Sequence, residues 1–260
     1  MLKPLISIIM PLFNSEAYVL ESINSVVNQT YENWELILID DASTDNTINT
    51  IKYFILKNEK VKLLTNKVNL GAAVTRNKGI EASIGDYIAF LDPDDLWKPQ
   101  KLEKQLIFMS NENCDVCYCS YELINQKGNS INKTVLALKE LSFSKLLKSN
   151  YIGNLTGIYN VSVLGKIKSP NLRKRQDWAL WLKALEMSGK PAKGIQETLA
   201  YYRVHKNSIS SNKFKLIKYN YWVYKKGLKF SSIKSLYFML VFLKEHFFIK
   251  PHQIISTNKI

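Results

Sequence analysis

The chain has 260 residues, with 36 Lys or Arg against 22 Asp or Glu, and a formal net charge of +14 at pH 7. Its length allows one substantial core plus an appendage, and 46% hydrophobic residues exclude a disordered chain. No apolar run reaches the roughly 18 residues of a membrane-spanning helix, and no charged stretch precedes the first one, so we expect neither a span nor a signal peptide.

Apolar runs alternate with helix-like stretches through the first hundred residues. Strands are predicted at 5–10, 34–39, 61–64 and 84–91, and helices at about 15–28, 45–58 and 72–83. This β-α-β order with short loops is typical of a parallel sheet with right-handed crossovers. The predicted fold class is therefore α/β, with a Rossmann-like, mostly parallel sheet and flanking helices.

The later elements are less regular. The sequence predicts helices at about 99–111, 138–149 and 173–187, strands at 115–121 and 197–204, and a turn with a loop at 126–133. Three cysteines, Cys114, Cys117 and Cys119, lie in or beside one predicted strand. No second Cys or His cluster accompanies them, so we interpret them as buried core residues rather than zinc ligands.

Three carboxylates follow the strand at 84–91. Asp92, Asp94 and Asp95 would repel one another and lose hydration at the end of a buried strand. A divalent cation such as Mg²⁺ or Mn²⁺, shared with substrate phosphates, would offset that cost. The alternative is an acidic turn in which Asp94 or Asp95 caps the next helix.

Other polar residues follow neighbouring strands. Phe13 and Asn14 come after the first strand, and Asp41 comes after the second. Ligands of parallel α/β sheets bind beyond the carboxyl ends of the strands, so we expect these residues to share one site with the three carboxylates. Neither a G-x-G-x-x-G nor a Walker sequence follows the first strand, which disfavours a dinucleotide-binding fold or a P-loop.

The last fifty residues form a basic, aromatic segment. Residues 211–260 contain ten Lys and one acid, Glu245, and predict helices at about 213–229 and 232–248. Eight apolar residues at 236–243, flanked by lysines, suit an interfacial helix on an anionic membrane. The alternative is a helical pair packed on the protein's own surface.

Several motifs in order resemble those of the family 2 glycosyltransferases, which are inverting enzymes with the GT-A fold. The matching segments are 8–14, 25–31, 39–45, 69–79, 92–95, 176–181 and 202–210. In the last of these, Ser208 and Ser210 complete the family's loop pattern. The resemblance runs from residue 6 to about 210. Val74 and Thr75 depart from the family's small residues, and Gln176 replaces a frequent acid.

The resemblance implies a role for each matching residue. The implied nucleotide-binding residues are Pro11, Phe13, Asn14, Asp41, Arg76, Asp92 and Asp94. Phe13 would lie against the nucleobase, and Asp41 would accept a hydrogen bond from the base. Asp94 and Asp95 would hold Mn²⁺ or Mg²⁺. Asp177 would be the catalytic base, and Arg203 or His205 would contact the pyrophosphate.

The resemblance predicts a metal-dependent enzyme that moves a sugar from a nucleotide-sugar donor, a UDP-sugar above all, to a hydroxyl of a glycan or lipid-linked acceptor. The setting it implies is lipopolysaccharide, O-antigen or capsule biosynthesis. The predicted domains are 1–210, divided into a nucleotide-binding half (1–97) and an acceptor-binding half (98–210), and the tail 211–260. We expect a cytoplasmic protein, peripheral on the inner face of the cell membrane, with no nucleic-acid partner. The alternatives are a nucleotidyltransferase and a non-catalytic basic membrane-binding protein.

Overall fold

The computed structural model describes residues 3–205 and 213–256. The strands are β1 (Ile6–Leu12), β2 (Trp34–Asp40), β3 (Val61–Thr65), β4 (Tyr87–Phe90), β5 (Leu96–Trp97), β6 (Val116–Ile124), β7 (Ser130–Val135), β8 (Glu140–Leu141), β9 (Ile158–Asn160), β10 (Ala192–Arg203) and β11 (Ile254–Ser256). The α-helices are α1 (Val19–Val27), α2 (Thr47–Lys57), α3 (Ala72–Ala82), α4 (Lys101–Glu112), α5 (Phe143–Leu146), α6 (Val161–Leu164), α7 (Gln176–Ser188), α8 (Lys213–Trp222) and α9 (Ser232–Lys244). Helices α8 and α9 continue as π-helical turns over Val223–Gly227 and Glu245–Ile249, and 3-10 turns cover Asn154–Thr156 and Lys250–Gln253.

Four parallel strands form the amino-terminal half of the sheet, in the order β4-β1-β2-β3. Every residue of β1 is buried, and successive side chains point to opposite faces. Ile8 joins a cluster that includes Ile23 of α1, whereas Ile9 joins another that includes Ile80 of α3. Burial on both faces explains the nearly continuous apolar sequence of this strand. The predicted alternation of strands and helices over this half is confirmed.

The second half of the sheet is mixed. Strand β9 is antiparallel to β4 and to β6, while β7 and β11 extend the sheet beyond β6. Strand β10 is parallel to β6 and antiparallel to β5, with Tyr201 opposite Leu96. This pairing brings the carboxyl end of β10 beside the segment that contains Asp92, Asp94 and Asp95.

Two local predictions are wrong. The segment 138–149 is not one helix, because Leu141 pairs with Ala192 in the sheet and Ser142 then caps the short helix α5 by accepting a hydrogen bond from the Lys145 N–H. The stretch 126–133 is not all turn and loop, since β7 begins at Ser130. Its mostly polar residues become a strand only through pairing with β6 on one side and β11 on the other.

The carboxy-terminal helices pack into the main core. Trp178 of α7 is fully buried, and its ring lies 5.5 Å from that of Tyr224 and 5.7 Å from that of Phe242, measured between centroids. The Tyr224 hydroxyl donates to the Leu147 carbonyl at 2.8 Å. The segment predicted as a tail therefore shares a hydrophobic cluster with α7. Within the described ranges, no helix has the length and apolar character needed to cross a bilayer.

A glycine is needed beneath the second tryptophan of α7. A Cβ placed on Gly157 would lie 2.2 Å from the Trp181 ring, far inside van der Waals contact. Trp181 is fully buried, so its ring has no open space into which it could move. The residue before β9 is thereby fixed as glycine by the packing of α7.

Candidate active site

An open cleft of about 760 Å³ lies beyond the carboxyl end of β4. Its lining includes three aspartates, Asp92, Asp94 and Asp95, which we call the aspartate wall. It also includes Asp177 and four basic residues, Arg173, Lys174, Arg175 and Lys250, which we call the basic wall. The structure thus brings the predicted metal-binding aspartates and the predicted catalytic base to one cavity.

Asp92 is held by two partners. Its Oδ1 accepts from the Arg76 guanidinium and from Asn154 Nδ2, the latter at 3.1 Å. Arg76 is itself buried on α3, and its Nε has no hydrogen-bond partner within the described residues. Arg76 therefore supplies a positive charge at the cleft, and among the described residues this charge forms an ion pair with Asp92 alone.

Asp94 faces the predicted pyrophosphate-binding histidine. Its Oδ2 lies 2.9 Å from His205 Nε2, and the imidazole packs edge-on against the Tyr18 ring. Burial raises the pKa of Asp94, and the Asp92 charge raises it further, while His205 opposes both effects. Asp94 is thus a carboxylate with too little nearby positive charge. The family pattern also contains Ser208 and Ser210, but these lie outside the described residues.

Asp95 is only 2% exposed. Its Oδ1 accepts from the Arg203 backbone N–H at 3.0 Å, and its carbonyl accepts from the Ser22 hydroxyl at 2.7 Å. Burial raises the pKa of Asp95 well above its usual value, and the Asp94 and Asp92 charges add to this effect. The aspartate wall therefore concentrates negative charge in surroundings that solvate it poorly.

The donor set of the aspartate wall fits a divalent cation. Mg²⁺ and Mn²⁺ prefer hard oxygen ligands, and Mg²⁺ in particular is usually bound by one or two carboxylates plus substrate phosphates. No group of three His, Cys, Asp or Glu side chains within residues 3–205 and 213–256 forms a complete metal site. Asp94 and Asp95 would supply carboxylate oxygens to such a cation, and a substrate's phosphate oxygens would have to supply further ligands.

Arg203 lies behind this wall rather than on the cleft. Its side chain has no solvent exposure, and its Nε donates to the Asp94 carbonyl at 2.8 Å. The remaining guanidinium nitrogens reach the Gln126 carbonyl at 3.0 Å and the Glu21 carboxylate at 2.6 Å. The guanidinium Cζ lies 4.7 Å from the centre of the Tyr18 ring. In this arrangement the guanidinium of Arg203, which was predicted to contact the pyrophosphate, donates its hydrogen bonds to protein groups instead.

The predicted base-binding residues gather at the ends of β1 and β2, outside the lining of the cleft. Pro11 is buried within β1, and the Phe13 side chain just beyond it is 48% exposed. Asn14 has a positive φ of 48° and accepts from the Thr44 N–H at 2.8 Å. This contact ties the loop after β1 to the loop after β2 and leaves the Phe13 ring available to a ligand.

Asp41 organises the start of α3. One oxygen accepts from the Leu70 N–H and from Asn66 Nδ2, and the other accepts from the Gly71 N–H, all within 2.8–2.9 Å. Burial raises the pKa of Asp41, but these hydrogen bonds outweigh it and hold the pKa below its ordinary value. Gly71 has φ 84°, a conformation that favours glycine. Asp41 therefore fixes the turn that presents Arg76.

Asp177 lies in the first turn of α7, where the helix dipole favours a carboxylate. Its Oδ2 accepts from Asn150 Nδ2 at 2.8 Å. The carbonyl of Asn150 accepts from Lys250 Nζ, so one residue orients both the acid and the cation. Three further residues line the cleft and were not predicted from the sequence: Asn150, Lys250 and Gln253. The one available signal was Glu245, because a single acid in a basic segment indicates that the segment packs against the rest of the protein.

Residues 7–167, well over half of the chain, match the model of glycosyl transferase family 2. The chain belongs to glycosyltransferase family 2. This membership confirms the predicted family and makes the protein an enzyme. It leaves no reason to retain the nucleotidyltransferase or the non-catalytic alternative.

Two curated relatives match this family 2 enzyme over most of its length. TuaG of Bacillus subtilis (strain 168), named as a teichuronic acid biosynthesis glycosyltransferase, is 41% identical over 91% of both chains. WfgD of Escherichia coli is named UDP-Glc:alpha-D-GlcNAc-diphosphoundecaprenol beta-1,3-glucosyltransferase. It is 41% identical over 82% of this chain and 83% of its own.

Solved structures support the fold of this glycosyltransferase. TarS 1–349 of S. aureus, in complex with UDP-GlcNAc, matches with a TM-score of 0.72 at 19% identity and covers 94% of this chain and 73% of that chain. The mannosyltransferase PcManGT of Pyrobaculum calidifontis, in complex with GDP-Man and Mn²⁺, matches with a TM-score of 0.70 at 15% identity. It covers 97% of this chain and 72% of that chain. The predicted GT-A fold is confirmed.

The two walls give this glycosyltransferase complementary chemical capacities. Asp177, with one oxygen held by Asn150, has a second oxygen that accepts no hydrogen bond from the described residues and is available to a substrate hydroxyl. The aspartate wall can attract a cation and, through it, phosphates. A carboxylate with a free oxygen and a group of aspartates thus line the same cleft, and a carboxylate of this kind can accept a proton from a hydroxyl.

Proposed function

We propose that this glycosyltransferase moves a sugar from a UDP-sugar to a hydroxyl of a lipid-linked glycan, with inversion at the anomeric carbon, in the assembly of a bacterial surface polysaccharide such as lipopolysaccharide, O-antigen or capsule. The observation that carries the proposal is that Asp177 lines the same cleft as Asp94 and Asp95. The UDP-glucose donor and diphosphate-lipid acceptor in the name of WfgD support this choice of substrates.

Asp177 would act as the general base. Asn150 holds one of its carboxylate oxygens at 2.8 Å, which leaves the other to accept the proton of the acceptor hydroxyl as that oxygen attacks the anomeric carbon. In a single displacement the nucleoside diphosphate leaves from the opposite face of the sugar. The side chains of the aspartate wall would then lie on the leaving-group side, and Asp177 on the acceptor side.

Asp94 and Asp95 would hold Mn²⁺ or Mg²⁺, which when bound neutralises charge on the departing diphosphate. The Mn²⁺ in the PcManGT complex supports a cation in this fold. Arg76 would interact with the nucleotide through its charge, and its buried Nε offers an unused donor. His205 would fix the orientation of Asp94 and reach the pyrophosphate.

The exposed Phe13 ring would stack on the uracil base, with Pro11 and Asn14 shaping the pocket around it. Asp41 would contribute in a different way. Both of its oxygens are engaged by the turn before α3, so its effect on the nucleotide would pass through the position of that turn and of Arg76. Asp92 would act alongside Arg76.

The apolar face of α9 would attach the enzyme to the inner surface of the cell membrane. Four exposed side chains share one helical face, at the spacing of an amphipathic helix: Ile233, Leu236, Tyr237 and Leu240. Phe247 and Phe248 of the following turn are also exposed, and Lys234 and Lys244 lie in the first and last turns of the helix. A membrane surface would bring the enzyme to a lipid-linked acceptor.

The direct test is transfer from UDP-sugars to a synthetic N-acetylglucosamine that carries a diphosphate and an alkyl chain. We expect product only with acceptor present, loss of product with EDTA, and recovery with excess Mn²⁺ or Mg²⁺. The configuration of the product's new linkage, read by NMR, should be opposite to that of the donor. A metal-independent reaction, or retention of configuration, would contradict the proposed mechanism.

Membrane attachment has its own test. Sedimentation with vesicles that contain anionic lipid should carry down the wild-type protein, and Leu236→Ser with Leu240→Ser should weaken this binding by about tenfold or more, because each removes an apolar contact with the lipid. The matched control is Ile84→Ser, which removes a similarly exposed apolar side chain outside α9. Equal vesicle binding by the wild type and the double variant would exclude the α9 face.

A further inference from the structure

We propose that the basic wall binds the diphosphate of the lipid-linked acceptor, with Lys250 as its central cation. This inference rests on the proposed function, which supplies an acceptor with a diphosphate. The basic wall is assembled from two distant parts of the chain: the residues that lead into α7, and the turn after α9. Neither part belongs to the motifs that relate the chain to its family.

The first observation is the lack of counter-charges. Among residues 3–205 and 213–256, no carboxylate lies within ion-pairing distance of Arg173, Arg175 or Lys250. The Nε of Arg175 is also buried and has no hydrogen-bond partner in that part of the chain. By contrast, Arg76 and Arg203 each form an ion pair with a carboxylate. Unpaired cations that line a cleft point to an anionic ligand.

The second observation is the way in which Lys250 is held. Its Nζ donates to the Asn150 carbonyl and lies 5.6 Å from the centre of the Tyr151 ring. Burial lowers the pKa of Lys250 to about 8, and the neighbouring Arg175 charge lowers it as well, while Asp177 acts in the opposite direction. The ammonium group thus gives up hydration without gaining a carboxylate partner, and a bound phosphate would supply the missing charge.

The turn that carries Lys250 is anchored on both sides. Before it, the buried Glu245 accepts hydrogen bonds from Lys145 and from the Tyr151 hydroxyl. After it, the Gln253 carbonyl accepts from the Leu136 N–H at 2.9 Å, and β11 pairs with β7. Lys250 is therefore placed at the cleft by the fold, and not by a free chain end.

The mechanism assigns this cation to the acceptor and not to the donor. In an inverting displacement the attacking oxygen and the leaving diphosphate lie on opposite sides of the anomeric carbon. Asn150 contacts both Asp177 and Lys250, so Lys250 lies on the side of the base. A diphosphate bound there belongs to the molecule that is attacking, whereas the donor diphosphate lies toward the aspartate wall.

The test compares two acceptors: N-acetylglucosamine with a diphosphate-alkyl chain, and the same sugar with the alkyl chain alone. The wild-type enzyme should prefer the diphosphate acceptor in kcat/KM. Lys250→Met should reduce this preference by at least about tenfold, because a charge-assisted contact is lost. Lys250→Arg should retain most of it. The matched control Lys225→Met removes an exposed lysine of the same segment and should leave the preference unchanged.

Binding of the two acceptors without donor, measured by titration calorimetry, repeats the comparison independently of transfer. A preference that survives in Lys250→Met, or is absent in the wild type, overturns the inference. A rise in the KM for UDP-sugar with the acceptor preference intact would instead place the cation on the donor side. Binding that depends on Lys250, without transfer from any UDP-sugar, would uphold the diphosphate site while contradicting the proposed reaction. Circular dichroism of each variant confirms that it is folded.

Discussion

The two walls of the cleft differ in whether their charged side chains have partners within the protein. The three carboxylates of the aspartate wall each have a protein partner: Arg76 for Asp92, His205 for Asp94, and the Arg203 N–H for Asp95. On the basic wall, Arg175 and Lys250 have no carboxylate partner in the described part of the chain, and Asp177 is held by a neutral amide. One wall is therefore fixed in place before substrate arrives. On the other, Arg175 and Lys250 keep charges that no carboxylate of the described residues neutralises.

The largest expected effect is the loss of kcat when Asp177, the proposed catalytic base beside the basic wall, is changed. Asp177→Asn should reduce kcat by about a thousandfold, because general-base catalysis typically contributes 10²- to 10⁴-fold. The fold should persist, since an asparagine oxygen can still accept from Asn150. Release of UDP in the presence of acceptor measures the loss. Glu186→Gln, which neutralises an exposed acid of the same helix, should keep wild-type activity, and a fully active Asp177→Asn would place the base elsewhere.

The next effect tests the support of the aspartate wall. Arg203→Met should lower the free energy of unfolding by roughly 3–4 kcal/mol, because the buried guanidinium contacts three backbone carbonyls and Glu21. Urea titration measures this loss. The control is Lys168→Met, which removes an exposed ion pair with Glu81 and should cost well under about 1 kcal/mol. A stable Arg203→Met with a raised KM for donor would instead show that Arg203 binds phosphate directly.

A smaller effect concerns the anchor of the basic wall and depends on pH. Burial raises the pKa of Glu245, but Lys145 and Tyr151 outweigh it and hold the pKa below its ordinary value of 4.5. The stabilisation is therefore fully present above pH 4.5 and is lost as the pH falls through the lower folded-state pKa. Glu245→Gln should cost about 1–3 kcal/mol at pH 7, because it removes a buried charge from its partners.

The cost of Glu245→Gln should shrink as the pH drops below 4.5, which urea titrations at several pH values would reveal. Glu197→Gln, in an exposed ion pair with Lys104, should cost less than about 1 kcal/mol at any pH. A cost for Glu245→Gln that does not change between pH 7 and pH 3 would mean that packing, and not charge, anchors the turn.

The smallest effect concerns His205, which we expect to orient Asp94 without contributing much to the stability of the protein. His205→Ala should lower kcat/KM for the donor by about tenfold, because Asp94 loses the group that orients it. Its melting temperature should change little, since the imidazole is partly exposed. His252→Ala, which removes an exposed imidazole from the carboxy-terminal segment, serves as the control. An unchanged kcat/KM in His205→Ala would show that Asp94 needs no such partner.

The sequence predicted the aspartate wall better than the basic wall. The carboxylates of the first follow a buried strand within four positions, so strand periodicity and a short motif were enough to find them. Lys250 reaches Asn150 across a separation of 100 positions, which no local pattern encodes. The same limit explains strand β7, whose polar residues become a strand only through pairing with β6 and β11. Arg203 was found by its motif, but its burial depends on Glu21 and Gln126.

The separation of Arg203 from Glu21 by 182 positions has a kinetic consequence. Contacts between distant segments require the closure of long loops, and a high contact order slows folding. The local β-α-β units of the first half can form early, whereas β10 must dock before Asp95 and Glu21 gain their partner. The turn with Lys250 depends in the same way on Glu245 and Tyr151, which are 94 positions apart. Catalytic competence would thus appear only in the last stage of folding, after most of the sheet is in place.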